Sequence, residues 1–286
     1  MNAQIIPPPK DDIIDSLITM ALAEDVGAFD ITSALTVPED AEISFAITAR
    51  QDMVLCGVEI ASKVFDAVAM GIHKYVYHTE GSWIKPGDIL LGGQGSARVI
   101  FAAERVALNL LRQTCGVATI TRNLVDRVAG TKAKILDTRK TIPGLRELQK
   151  YAVRVGGGVN HRYRLDDGIL IKDNHISVCG SVTEAMHRAR NQAPESVRIE
   201  IECDTLAQVQ EAVDAKADII LLDNMTLDQL SEAVALVNGR ALLEASGNIS
   251  LDTVRAVAQT GVDHISVGMI THSPPNVDIG LDLEGF

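Results

Sequence analysis

Between Val155 and His175 the chain reads VGGGVNHRYRLDDGILIKDNH, three glycines ahead of a His-Arg pair and a lysine at the end of an apolar run. From Lys132 to Lys172 there are ten lysines and arginines against four acids, a net +6 in a chain whose formal charge is -12, which leaves -18 for the remainder. A local cation cluster in an acidic protein suits a pocket for a small anion. A nucleic-acid surface would need broad positive charge, and the overall balance argues against one. Within the cluster, Arg146, Lys150 and Arg154 recur at i, i+4 and i+8 and are expected on a solvated helix face. Arg139, Lys140, His161, Arg162 and Lys172 fall at strand ends or in the glycine loop. There an arginine fork or a lysine point charge fits carboxylate and phosphate.

Acids converge on the same region. Glu200 and Glu202 are two apart in RIEIECD, so a strand turns both to one side. Carboxylates sharing a poorly hydrated space must meet cations, a metal or protons. An internal salt-bridge layer is the plainer reading, stronger for Glu200 than for Glu202, which lies nearer the strand's end. Asp223 follows IILL directly, a position that suits a divalent cation or a sugar hydroxyl. The runs ASGN and VGMITHS bring small residues and free backbone N–H groups to the last strand ends, so Ser246, Gly247, Gly268 and His272 are candidates for a phosphate site.

The elements that position these groups follow from periodicity. A helix is expected from about Asp11, with Ile13, Ile14, Leu17, Ile18 and Leu22 on one stripe. Strand-like runs AEISFAITA, MVLCG, HKYVYHTEG and DILLGGQGSARVIF follow, with a helix around Glu59 to Met70 between two of them and a long helix from near Ala102 to Gly130. Beyond it come six regular strand-helix units: AKILDTR, GILIKD, RIEIECD, DIILLDN, ALLEASG and HISVGMI, each apolar until a polar C-terminal end. Ligands bind at that edge in α/β barrels and open α/β sheets alike. Six strands fall short of a closed eight-stranded barrel, so the expected fold is α/β: an amino-terminal α+β open sandwich domain over 1–115, then an incomplete, six- or seven-stranded parallel α/β barrel over 116–273. A doubly wound sheet is the alternative, weakened by the absence of a GxGxxG after a first strand.

With 47% apolar residues and only 3% aromatic, aliphatic side chains must fill the core. Cys56, Cys115, Cys179 and Cys203 form no CxxC pair and are expected to be reduced thiols. No apolar run is long enough to span a bilayer and the start lacks a signal core, so a cytoplasmic protein is expected. Lys85 in SWIKPGDIL is read as part of a polar turn, Trp83 as packing, and His73, His78, His187 and His264 as structural or exposed.

Taken in order, EDVGAFDITS, ERVALNLLRQTCGVAT, DTRKTIPGLRELQKYAVRVGGGVNHR, LIKDNHI, DIILLDNM, LEASGN and GVDHISVGMITHS resemble the successive signatures of the quinolinate phosphoribosyltransferase family over nearly the whole chain. Many members carry a second glycine where this chain has Asn248, and Ser-Gly where it has Cys115-Gly116. The resemblance implies a pentosyltransferase that joins phosphoribosyl pyrophosphate to quinolinate with loss of carbon dioxide. The products would be nicotinate mononucleotide and pyrophosphate, in de novo NAD biosynthesis. It implies Mg2+ held by Glu202 and Asp223, directly or through water, and quinolinate held by Arg105, Arg139, His161, Arg162 and Lys172. Lys140 would face the sugar pyrophosphate or the junction between substrates, with Lys140, Glu202 and Asp223 as the catalytic groups. Ser246, Gly247, Asn248, Gly268 and His272 would take the ribose phosphate. A homodimer would bring Arg105 into the partner's pocket, and the tail 274–286 would pack back on the first domain. Three competing readings stand beside this one. They are a phosphoribosyltransferase for another ring carboxylate, a barrel lyase with Lys140 or Lys172 as a Schiff base, and a metabolite-binding protein without turnover.

Overall fold

The computed structural model describes residues 6–284. In chain order the elements are α1 (Asp11–Asp25), α2 (Ile31–Thr36), β1 (Glu42–Ala49), β2 (Met53–Val54), α3 (Val58–Val68), β3 (His73–Val76), β4 (Trp83–Ile84), β5 (Ile89–Ser96) and α4 (Ala97–Arg127). They continue with β6 (Lys134–Leu136), α5 (Arg146–Val155), β7 (Ile169–Ile171), α6 (Asp173–Cys179), α7 (Val182–Gln192), β8 (Ile199–Cys203), α8 (Leu206–Asp214) and β9 (Ile219–Asp223). Last come α9 (Leu227–Val237), β10 (Leu242–Ser246), α10 (Val254–Gln259), β11 (His264–Ser266), α11 (Met269–His272) and β12 (Ile279–Glu284). Two compact units result: Met1–Arg122 with Ile142–Gly157 and Ser273–Phe286, and Asn123–Thr141 with Gly158–His272. Residues 1–5 and 285–286, which the sequence reading assigns to the first domain and the tail, lie outside the described residues.

In the first unit an antiparallel sheet runs β12-β1-β5-β3. The alternation in EISFAITA sends Ile43, Phe45 and Ile47 inward, and the Phe45 ring stacks at 5.0 Å on Phe65 of α3, so the helix closes one face. The tail returns as β12 and pairs along β1 from Ser44 opposite Glu284 to Ala49 opposite Ile279. Thr48 and Arg50 both bind the Asp282 carboxylate. The approach to α4 is equally close: a Cβ on Gly116 would lie 2.0 Å from the Pro275 carbonyl oxygen.

Four features of this unit depart from the sequence reading. The long helix starts at Ala97, not near Ala102, so ARVIF is its first turn and a half; Ile100 is buried at helical spacing from Ala103 and Ala107. The short α2 was not expected, although its start is a recognisable cap, with the Asp30 carboxylate accepting the Ser33 N–H at 3.1 Å. Lys150 is fully buried and Arg146 and Arg154 are half-buried, so α5 has no solvated basic face. Trp83, expected to pack, is 43% exposed on β4. Lys85 does sit in the turn after β4, with its backbone N–H on Asp88.

The second unit is an all-parallel six-stranded sheet in the order β6-β11-β10-β9-β8-β7, curled but not closed, as six strand-helix units predict. Several of its helices start where their sequence says they should. Thr205 with Gln208 and Thr226 with Gln229 form capping boxes, and Ser181 caps α7. The register sets the interior. Leu170 pairs with Glu200, Glu202 with Leu221, Leu221 with Glu244, Glu244 with His264, and Asp223 with Ser246. Glu200, Glu202 and Glu244 are consequently buried together inside the curl, with Asp137 buried at the end of β6. Burial, followed by the neighbouring Glu200 charge, pushes the Glu244 carboxyl up to about 7 from an ordinary 4.5. No helix among the described residues is long and apolar enough to cross a membrane.

Two outcomes are expected. Gly116→Ala should lower stability by about 1–3 kcal/mol, the usual cost of overpacking, despite alanine's better helix propensity. An unchanged urea midpoint would mean that the Pro275 segment yields freely. For Glu244, the folded chain holds its proton more tightly than the unfolded chain. Stability from this group therefore falls as pH rises from about 4.5 through about 7. Glu244→Gln should remove that part of the slope, and equal slopes of urea midpoint against pH in both proteins would contradict it.

Candidate active site

The C-terminal strand ends of the second unit enclose a cavity of about 490 Å³. Its walls include Arg139, Lys140, His161, Arg162, Lys172, Glu202, Asp223 and Ser246, eight of the residues selected from sequence. Thr138, Leu170, Leu221, Glu244 and Ser266 complete it. A strict period-two projection would have reached two of these, since Glu244 and Ser266 alternate with Ser246 and Gly268. Gly247 and Asn248 follow Ser246 directly but are not among the wall residues. Gly268 and His272 lie beside Lys140: a Cβ on Gly268 would meet the His272 ring at 3.2 Å and the Lys140 chain at 3.5 Å. Arg105 belongs to the first unit, exposed on α4.

The cations sit close to one another. Burial, and next the charge of Arg139, pull Arg162 below the usual guanidinium range. Crowding like charges is unfavourable unless an anion relieves it. Lys172 points its ammonium at the Glu202 carboxylate, while its backbone N–H donates to His175 Nδ1 at 2.8 Å. Lys140 is held through its main chain, whose carbonyl accepts the Thr271 hydroxyl at 2.8 Å.

The loop carrying His161 and Arg162 is anchored by the acid at the end of β6. Asp137 accepts the His161 N–H at 2.8 Å and the Asn160 amide at 2.6 Å, and Tyr163 bonds Asn160 at 2.9 Å. Arg162 reaches the Gly168 carbonyl at 2.9 Å. His161 Nδ1 accepts the Arg162 N–H at 2.8 Å, so its proton is on Nε2, which lies 2.9 Å from Glu200. Glu200 is therefore held inside the sheet by a hydrogen bond from a neutral ring, close to the plainer of its two readings but without an ion pair.

At the far side of the site, the loops after β9 and β10 lock together. Gly247 adopts φ +101°, and a Cβ there would meet the Asn224 side chain at 2.2 Å. Asn248 stands at φ +50°, in the left-handed region that asparagine enters most readily after glycine, so it can occupy the backbone shape of a second glycine. Its amide bonds Asn224 at 3.4 Å, and Asn224 bonds Asp223 at 2.6 Å.

Two carboxyl groups suit a metal of the Mg2+ class: Glu202 and Asp223 on one wall, in the sparse arrangement that leaves coordination positions for phosphate and water. His161, Glu200 and Glu244 also bring ligand atoms within 4.8 Å of one another. There the protonated Nε2 of His161 has no lone pair to give, so this group is a hydrogen-bonded cluster and not a coordination site.

Comparisons with known proteins agree with this geometry. The family models for the N-terminal and C-terminal domains of quinolinate phosphoribosyl transferase match residues 30–115 and 117–282. A curated relative, the nicotinate-nucleotide pyrophosphorylase (carboxylating) of Mycobacterium leprae, is 46% identical over 279 residues, which is 95% of this chain and 98% of that one. The crystal structure of nicotinate-nucleotide pyrophosphorylase from Ehrlichia chaffeensis superimposes with a TM-score of 0.91 at 42% identity, covering 99% of this chain and 100% of that one. The corresponding protein from Francisella tularensis gives 0.91 at 37% identity over the same shares. The chain belongs to the quinolinate phosphoribosyltransferase family.

Proposed function

We propose that the chain transfers the phosphoribosyl group of phosphoribosyl pyrophosphate to the ring nitrogen of quinolinate and releases pyrophosphate and carbon dioxide, leaving nicotinate mononucleotide. The observation that carries this reading is one cavity walled by Arg139, Lys140, Arg162 and Lys172 with Glu202 and Asp223 among them. Quinolinate is a dicarboxylate, and Arg139, Arg162 and Lys172 offer it two separate anion grips. Bidentate arginine contacts would hold the ring nitrogen facing the anomeric carbon, and positioning of this kind supplies a large part of such a barrier.

Lys140 meets the sugar pyrophosphate, and Ser246, Gly247, Asn248, Gly268 and His272 take the ribose phosphate. Glu202 and Asp223 would hold Mg2+, directly or through water, and order the ribose hydroxyls. Bound there, Mg2+ supplies neutralisation of the departing pyrophosphate. As the C1–O bond breaks, positive charge grows on the anomeric carbon beside these carboxylates, and the pyridine nitrogen forms the new bond. The electron pair of the C–CO2 bond then stays on the ring carbon next to the pyridinium nitrogen, and a proton replaces carbon dioxide. Preorganised charge does the work throughout, with no covalent intermediate on the protein. The Schiff-base reading fares worse, because the Lys172 nitrogen is engaged by the Glu202 carboxylate. Arg105, exposed on α4, is assigned to the site of a second copy in a homodimer.

Mixing the protein with quinolinate, phosphoribosyl pyrophosphate and Mg2+ should yield carbon dioxide and mononucleotide in equal amounts, and chelation by EDTA should stop both. Nicotinate should not replace quinolinate, since a monocarboxylate meets only one of the two anion grips. Mononucleotide without carbon dioxide would overturn the assignment. Arg139→Ala should raise the barrier by about 2–4 kcal/mol, the scale of one preorganised charge contact. A loss in kcat/KM worth less than about 1 kcal/mol would remove Arg139 from its role.

A further inference from the structure

Glu200, 5% exposed, is not among the residues of the cavity wall, yet its carboxylate faces a loop that reaches that wall. The His161 ring connects the two. On one side Nε2 lies 2.9 Å from Glu200 Oε2. On the other, Nδ1 lies 2.8 Å from the backbone nitrogen of Arg162. A backbone N–H can only donate, so Nδ1 must be the unprotonated nitrogen and Nε2 must carry the hydrogen. An imidazolium, or the other tautomer, would set two donors against each other at Arg162. Only an acceptor opposite Nε2 favours the tautomer that Arg162 requires, and Glu200 is that acceptor. The His161 main chain is independently fixed by Asp137 at 2.8 Å.

We propose that Glu200 is a positioning residue for substrate recognition: by accepting the His161 Nε2 hydrogen it selects the tautomer that pins the Arg162 backbone, and so aims the Arg162 guanidinium at the ring-acid carboxylate. Glu244 backs the arrangement, with Oε1 3.9 Å from the same Nε2. Glu200 touches no substrate and acts through two hydrogen bonds in series. The effect is confined to the ring-acid half of the cavity, because the phosphate half is built on Lys140 and on the loops after β10 and β11. This deepens the reading under Proposed function and rests on it.

The test pairs two variants with a spectroscopic readout on the unmodified protein. Glu200→Gln keeps a carbonyl acceptor at the same reach, while Glu200→Met keeps the bulk and removes the acceptor. Glu200→Met should raise KM for quinolinate about tenfold, the scale of losing one buried hydrogen bond, and leave KM for phosphoribosyl pyrophosphate within about twofold. Glu200→Gln should restore quinolinate KM to within about threefold of the unmodified protein. Long-range 15N–1H spectra of histidine-labelled unmodified protein should show His161, assigned by its loss in His161→Gln, as the Nε2–H tautomer. That measurement does not depend on Glu200→Met folding. An Nδ1–H or doubly protonated His161 overturns the proposal. So does an equal rise in both KM values, or Glu200→Gln as impaired as Glu200→Met. If the unmodified protein releases no carbon dioxide from quinolinate, the functional reading fails instead, and the tautomer result still stands as evidence on the hydrogen-bond relay.

Discussion

A parallel sheet curled around carboxylates must neutralise them from within its own fold, and that electrostatic demand governs the rest of the second unit. Glu200, Glu202 and Glu244 are buried in its interior. Uncompensated, each would cost several kcal/mol. Two side chains on the loops around the cavity answer them. Lys172 answers Glu202 with an ion pair, and the neutral His161 ring answers Glu200 with its Nε2 hydrogen at 2.9 Å. Acids lie below and cations above in one stack, and the charge in excess at its top, among Arg139, Lys140 and Arg162, is positive. The excess is what recommends the cavity to a dianionic ring acid and a sugar diphosphate.

Such a stack needs precise loops. The Asp137 and His161 side chains hold the segment around His161 and Arg162 through its backbone N–H groups, and the Asn160 amide adds a bond to the same aspartate. The loops after β9 and β10 are fixed differently, by left-handed backbone at Asn224, Gly247 and Asn248 and by an amide-amide contact. One side of the site is held by acids and the other by backbone shape, as fits a site with charged recognition at one end and phosphate recognition at the other.

Much of this was legible in the residues. Strand ends turning polar in six successive units marked both the sheet and its working edge. The same pattern sorted Glu200 from Glu202 by depth. The failures have physical causes. Arg146, Lys150 and Arg154 share a helix face, but helical period alone does not tell whether that face meets water or protein, and Lys150 proved buried. ARVIF is apolar enough for a strand, and only the longer register with Ala103 and Ala107 makes it helix. The His161 tautomer depends on a backbone N–H in a loop, which no spacing rule reaches. Arg105 was placed at the site by resemblance alone.

The β12–β1 pairing has a consequence for biogenesis. Thr48 and Asp282, hydrogen-bonded partners in that sheet, are 234 positions apart in the chain. A nascent polypeptide therefore emerges from the ribosome with β1 displaying an unpaired edge throughout synthesis of the entire parallel unit. Loop-closure entropy makes that late pairing slow, and an open strand edge is the usual seed of intermolecular misassembly. The interval before β12 arrives, rather than the finished fold, is where this topology leaves the chain open to misassembly.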